Sequence, residues 1–255
     1  MTLPKTNGFL NDLQSCLLFL TILPAGRHVT YSPMGMIRFF PVAGLILGSL
    51  VVLTDLAASR LWPLPVAALA DVLCLVILTG AFHLDGLGDT ADGIFSHRSR
   101  QRALEIMKDS RTGMMGLVAV VCVLAMKVAG IYAVKMAFGT GQALLVLLLV
   151  PAYARASMIF GIRFLKYGRT GTGTGLDLFA SALGPKDFVY CLIPLFLSVF
   201  LGYNGLVLNL LFGISCLGIL WFYKKKMNCV TGDMLGAMTE LLEAVFFLGC
   251  GAAFL

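Results

Sequence analysis

Charge is what this chain has least of. Of its 255 residues only 13% are Asp, Glu, Lys or Arg, about half the share of a typical soluble domain, near 25%. That shortage excludes a soluble globular protein. No two of the seven cysteines, at 16, 74, 122, 191, 216, 229 and 250, form a C-x-x-C pair. This excludes a zinc site and a disulfide framework, and leaves them as small buried hydrophobes. There is no internal repeat, and no domain-sized polar segment remains once the apolar blocks are set aside, so residues 1–255 read as one domain. A cleavable leader is not expected: Asn11-Asp12 interrupts the first apolar run and Pro24 closes it.

What is present is apolar. Hydrophobic residues make up 59% of the chain, and the mean hydropathy is +0.92. They fall in blocks of about 20, the length that crosses a bilayer as helix. The expected fold is therefore all-α, a polytopic membrane bundle of about seven transmembrane helices, near 36–57, 64–84, 114–137, 142–160, 187–203, 205–222 and 233–254. Residues 8–24 suit an interfacial or re-entrant helix better than a span. Seven spans put Lys5, Arg27, Arg98, Arg100, Arg102, Lys108, Arg111, Arg163, Lys166, Arg169, Lys186 and Lys224–Lys226 on one side and only Arg60 on the other. The positive-inside rule makes the basic side cytoplasmic. The net charge of +6 follows from this asymmetry and does not point to nucleic acid.

The chemistry concentrates in His83–Gly93, read His-Leu-Asp-Gly-Leu-Gly-Asp-Thr-Ala-Asp-Gly. On a helix, spacings of four and three place Asp85, Asp89 and Asp92 within an arc of roughly 60°. Three like charges on one face repel unless something offsets them. Mg²⁺ does so with hard carboxylate oxygens and commonly bridges to substrate phosphates. A turn is the structural alternative for this Gly-rich stretch, and its spacing is not that of an EF-hand.

Other candidates surround this segment. In Glu105-Ile-Met-Lys108-Asp109-Ser110-Arg111, Asp109 is a further ligand or base, and Lys108 and Arg111, with Arg98 and Arg102 nearby, are phosphate clamps. A solvated helix pairing its own charges is the plainer reading. In Thr231-Gly-Asp233-Met-Leu-Gly236-Ala-Met-Thr-Glu240-Leu-Leu-Glu243, Asp233 and Glu240 share a face, with Gly236 allowing close helix approach. Arg155, inside an apolar span, either pairs with an acid of the last helix or lines a polar cavity. His83 is structural, or a donor to phosphate, or a proton carrier. The run Arg169–Gly175 is a flexible loop or a backbone nest for phosphate. Together these residues imply a membrane enzyme acting on a diphosphate donor, with a hydroxyl as acceptor.

Phe82–Phe95 resembles the signature of the cobalamin synthase family, the adenosylcobinamide-GDP ribazoletransferases. The likeness continues through Arg98-Ser-Arg100, Leu104–Gly113, Thr231–Gly236 with Glu240, Phe40–Gly48 and Arg155. The chain departs from the family pattern at 167–179, where Gly175-Leu176 leads to Asp177 rather than glycine. The resemblance implies the last step of adenosylcobalamin nucleotide-loop assembly. In that step a hydroxyl of α-ribazole, or of its 5′-phosphate, attacks the phosphate on the cobinamide side chain of adenosylcobinamide-GDP and displaces GMP. It implies Mg²⁺ as cofactor, a site facing the cytoplasm from the cytoplasmic (inner) membrane, and Asp85, Asp89 and Asp92 as metal and diphosphate ligands. Asp109, Asp233 and Glu240 would complete the acidic site. Association with a second copy or with other corrinoid-pathway enzymes is compatible with it. Two readings compete. A CDP-alcohol phosphotransferase would need Asp-Gly-x-x-Ala-Arg, which is absent. A cation or proton transporter would be opposed by the basic residues beside the acids.

Overall fold

The computed structural model describes residues 8–109, 111–169 and 174–252. Lys5, Ser110 and residues 170–173 of the Gly/Thr run lie outside them. The helices are α1 (Gly8–Leu20), α2 (Pro33–Met36), α3 (Phe40–Leu61), α4 (Leu64–Leu78), α5 (Phe82–Ile94), α6 (Arg100–Ile106), α7 (Met114–Ala137), α8 (Thr140–Phe164), α9 (Thr174–Asp177), α10 (Leu192–Leu197), α11 (Tyr203–Lys226) and α12 (Gly232–Ala252). Short 3₁₀ turns occur at Ile37–Phe39, Pro185–Cys191 and Ser198–Leu201. Among the described residues there is no strand, only a bridge between Tyr167 and Val230. The all-α expectation holds.

Five helical stretches are long and apolar enough to cross a membrane: Pro33–Leu61, α7, α8, α11 and α12. The pair α4 and α5, bent by 88° at its break, is a broken span, which would make a sixth, or a re-entrant loop. The chain is thus a multi-pass membrane protein. At 13 residues, α1 reaches about 20 Å, too short to cross. α8 and α12 bury 78% of their apolar windows, against 28% for α7 and 22% for α11. The first two therefore form the centre, and the outer faces of the others meet lipid.

Two details differ from expectation. The span expected at 187–203 is not one helix; it is α10 between two 3₁₀ turns. Pro185 and Pro194 withdraw backbone donors, and neighbouring side chains satisfy the irregular backbone. Tyr153 donates to the Pro194 carbonyl at 3.2 Å and to Asn209 at 2.5 Å, and Asn209 donates to Ser198 at 2.9 Å. This piece starts where Tyr190 stacks on Phe39 and ends at Gly202, before α11. α11 returns to the bridge at Val230, so the broken piece carries the chain to the opposite end. The second difference is at 64–84. That helix breaks at Gly80 and Ala81, both with φ of 58°, and the helical path resumes through all three aspartates to Ile94.

Packing is closest where glycines face backbone. A Cβ on Gly44 or Gly48 of α3 would overlap the backbone of Pro151–Ala152 or Leu148 in α8. This small-x-x-x-small contact is the membrane route to close helix approach.

Candidate active site

α5 runs antiparallel beside the first turns of α7 and α12. Gly86 lies on the backbone of Asp233, and Gly236 lies on that of His83. Side chains larger than hydrogen would hold the two helices apart. This crossing brings the acids of two distant sequence segments together. Asp89 experiences the charges of Asp85, Asp233 and Asp92 and the opposite charge of Arg169.

A cavity of about 860 Å³ opens beside this crossing. Asp85, Glu105 and Asp233 supply acids to its wall; Arg100, Lys108 and Arg169 supply cations; Phe19, Phe82 and Tyr167 supply aromatic surface. The first turn of α12 borders it at Gly232 and Asp233, presenting the electropositive end of that helix.

The acids divide by what they touch. Asp85 is exposed and Asp89 half-buried, and neither has a hydrogen-bond or ion-pair partner among the described residues. Asp92 is engaged: its oxygens accept the backbone N–H groups of Gly113 at 2.6 Å and Gly116 at 2.8 Å. It thereby satisfies donors that the start of α7 leaves free. Asp233 is paired with Arg169, and the same guanidinium donates to the Met107 carbonyl at 3.0 Å.

The flanking segment sits on the surface. Asp109 accepts from the Arg111 side chain at 2.6 Å and from its backbone N–H at 3.1 Å. These bonds hold its carboxyl down to about 2. Arg102 pairs with Glu105 at 2.7 Å. Arg98, Arg102, Asp109 and Arg111 do not border the cavity; Lys108 does.

Glu240 and Arg155 also stand apart from it. They belong to a buried cluster between α7, α8 and α12, where Lys127 meets both Glu240 and Glu243 at 2.5 Å and Arg155 pairs with Glu243. Of the two readings of Arg155, the structure shows the pairing. Burial and charge balance draw Glu240 inward to Lys127, away from the cavity. His83 is fully buried beside Arg155 and Lys127, and among the described residues neither ring nitrogen has a hydrogen-bond partner.

Arg100, Tyr167 and Arg169 are wall residues that the sequence did not single out as ligands. The signal for Arg169 was its place at the head of the Gly/Thr run. What the sequence could not show is the bridge in which Gly168 donates to Val230 at 2.9 Å and Val230 to Lys166 at 2.9 Å. That bridge lays the stretch against Asp233. Among the described residues no three His, Cys, Asp or Glu side chains converge to hold a metal by themselves. All seven cysteines are unpaired.

Comparison with known proteins follows the same residues. The chain is 35% identical over 242 residues to the adenosylcobinamide-GDP ribazoletransferase of Alkaliphilus metalliredigens, covering 94% of each chain. It is 36% identical over 212 residues to that of Acetivibrio thermocellus, covering 82% of this chain and 84% of the relative. With that of Klebsiella pneumoniae strain 342 it shares 37% over 221 residues, with the same coverage. No solved structure matches. The family model described as cobalamin-5-phosphate synthase matches residues 12–251, a range that takes in α5, the cavity and the buried ion cluster: the chain belongs to the cobalamin-5-phosphate synthase family.

Proposed function

We propose that this chain joins adenosylcobinamide phosphate, taken from adenosylcobinamide-GDP, to α-ribazole or α-ribazole 5′-phosphate, releasing GMP. The observation that carries this reading is the cavity wall. Asp85, without a partner among the described residues, shares that wall with Arg100, Lys108 and Arg169, and Asp89, also without a partner among them, lies just behind it within the field of Asp85 and Arg169, the arrangement a diphosphate and its counter-ion require.

Asp85 and Asp89 fit a hard divalent ion. Among the described residues no protein group occupies their oxygens and no third ligand converges on them, which leaves room for water and diphosphate oxygens, the usual shell of Mg²⁺. Mg²⁺ held there would polarise the diphosphate and stabilise the leaving phosphate. The remaining work falls to the chain. Arg100 and Lys108 would clamp phosphate oxygens. Arg169, released from Asp233, would do the same beside the first turn of α12. The ribose hydroxyl forms a new P–O bond as the diphosphate P–O bond breaks, and the electron pair leaves on the GMP phosphate. A carboxylate of the Asp85, Asp89 and Asp233 group takes the hydroxyl proton. Phe82 and Tyr167 offer ring faces to the flat bases of either substrate. The basic segments beside the cavity support a site that faces the cytoplasm, by the positive-inside rule.

The test is GMP release by purified, detergent-solubilised protein given adenosylcobinamide-GDP, α-ribazole and Mg²⁺. Metal-dependent GMP, matched by a cobalamin product, is the expected result. No product from folded protein with either ribazole form would overturn the reading.

A further inference from the structure

A second set of charges lies far from the cavity, where α3, α4 and α7 meet. Asp55 of α3 pairs with Lys135 of α7, and both bond to Ser59, at 3.1 Å from Asp55 and 2.9 Å from Lys135. Asp71 of α4 lies alongside the Asp55 carboxyl and within the field of Lys135. It is 0% exposed; among the described residues no donor reaches its oxygens, and its hydrogen bond with the Asp55 carboxyl forms only when a proton lies between the two. Lys135 is 19 residues beyond Gly116, where Asp92 binds, or about 29 Å along α7.

The charges do not balance as they stand. Asp55 and Lys135 cancel, and Asp71 adds one buried negative charge. An ionised carboxylate with no neutralising partner is strongly disfavoured inside a helical bundle. Among the described residues the elements packed most closely against α4 are α3 and α7, and they supply no further cation. Arg60 of α3 is exposed, and Lys127 of α7 is taken by Glu240 and Glu243. On α4 itself, Cys74 receives a hydrogen bond from Thr54 at 3.3 Å. One positive charge is missing, and with only two carboxylates the balance calls for a monovalent ion.

We propose that Asp71, with Asp55 and Lys135, forms a buried binding site for one monovalent cation, H⁺ or Na⁺, separate from the diphosphate cavity. Occupancy neutralises Asp71 and ties α4 to α3 and α7. The site does not depend on the proposed transferase reaction, and its test does not measure that reaction.

Thermal unfolding of the purified full chain tests it, as wild type and as Asp71→Asn, which keeps the shape of a neutral Asp71. Each is melted across pH 6 to about 9 in choline chloride, and at the alkaline end with NaCl added. The wild type should gain about 3–5 °C on occupancy, the shift for tenfold saturation of one site. Asp71→Asn should melt high throughout and lose that gain. A gain with acid alone identifies H⁺; a gain with NaCl at fixed pH identifies Na⁺. A wild type that responds to neither, or an Asp71→Asn protein that responds as the wild type does, would overturn the proposal. Should Asp71→Asn fail to fold, the wild type is treated with dicyclohexylcarbodiimide, which modifies protonated carboxyls in apolar surroundings. Adduct on the Asp71 peptide, suppressed by alkali or by NaCl, is the expected outcome. Labelling that ignores both, or spares Asp71, refutes the site.

Discussion

At the scale of single residues, three aspartates with one spacing have two different fates. Among the described residues Asp89 has no partner, so its carboxyl is free for a ligand and its loss leaves none of their bonds broken. Asp89→Asn should therefore reduce GMP release by about 10²–10³-fold, the range for removing one preorganised charge from a reacting centre. Its melting temperature should match that of the wild type. Asp92 is the reverse case, because its oxygens hold the first turn of α7. Asp92→Asn should cost about 1 kcal/mol of stability, the size of a lost helix cap, with a smaller fall in GMP release than Asp89→Asn. Measuring both quantities on both variants separates the roles. The sequence placed the three aspartates on one face correctly. It could not assign these fates, because the partners of Asp92, Gly113 and Gly116, lie more than twenty residues away at the start of α7.

Between elements, the decisive contacts are buried ion pairs and backbone crossings. Arg155 and Glu243 lie inside the bundle, and removing Arg155 leaves Lys127 alone against two buried carboxylates, Glu240 and Glu243. Arg155→Leu should destabilise the protein by about 3–5 kcal/mol. Adding Glu243→Gln should restore much of that loss, as read by thermal unfolding. A double variant no more stable than Arg155→Leu alone would show that the two residues are not coupled. The motif of α12 was legible as an acidic stretch with a glycine on one face, and Gly236 does face His83 on α5. The division within it was not legible. Asp233 meets the cavity, whereas Glu240 and Glu243 turn inward, and the choice is made by Lys127 and Arg155 on two other helices. The break after α4 was hidden as well. Thr79-Gly80-Ala81 reads as a weak interruption in an apolar run, and only the left-handed backbone of Gly80 and Ala81 redirects the chain.

For the molecule as a whole, apolar blocks and a one-sided charge distribution sufficed to read a multi-pass helical bundle. The apolar composition predicts one helix over 187–203; Pro185, Pro194 and the hydrogen bonds from Tyr153 and Asn209 make the traverse over 185–201 something else. The topology has a direct test. In membrane vesicles, with Cys122→Ser as background, Arg60→Cys and Lys225→Cys should react with a membrane-impermeant maleimide from opposite sides. Reaction from the same side would refute the chain path. Arg169 couples the two halves of the site. One guanidinium holds Asp233 on α12 and the Met107 carbonyl just after α6, so it acts as a shared latch. An anion that draws it away frees the acid and loosens the α6 wall in one event, and a wall held rigid withholds the cation from the anion. Widening of the cavity and neutralisation of its guest are then a single equilibrium, and by linkage each strengthens the other to the same degree.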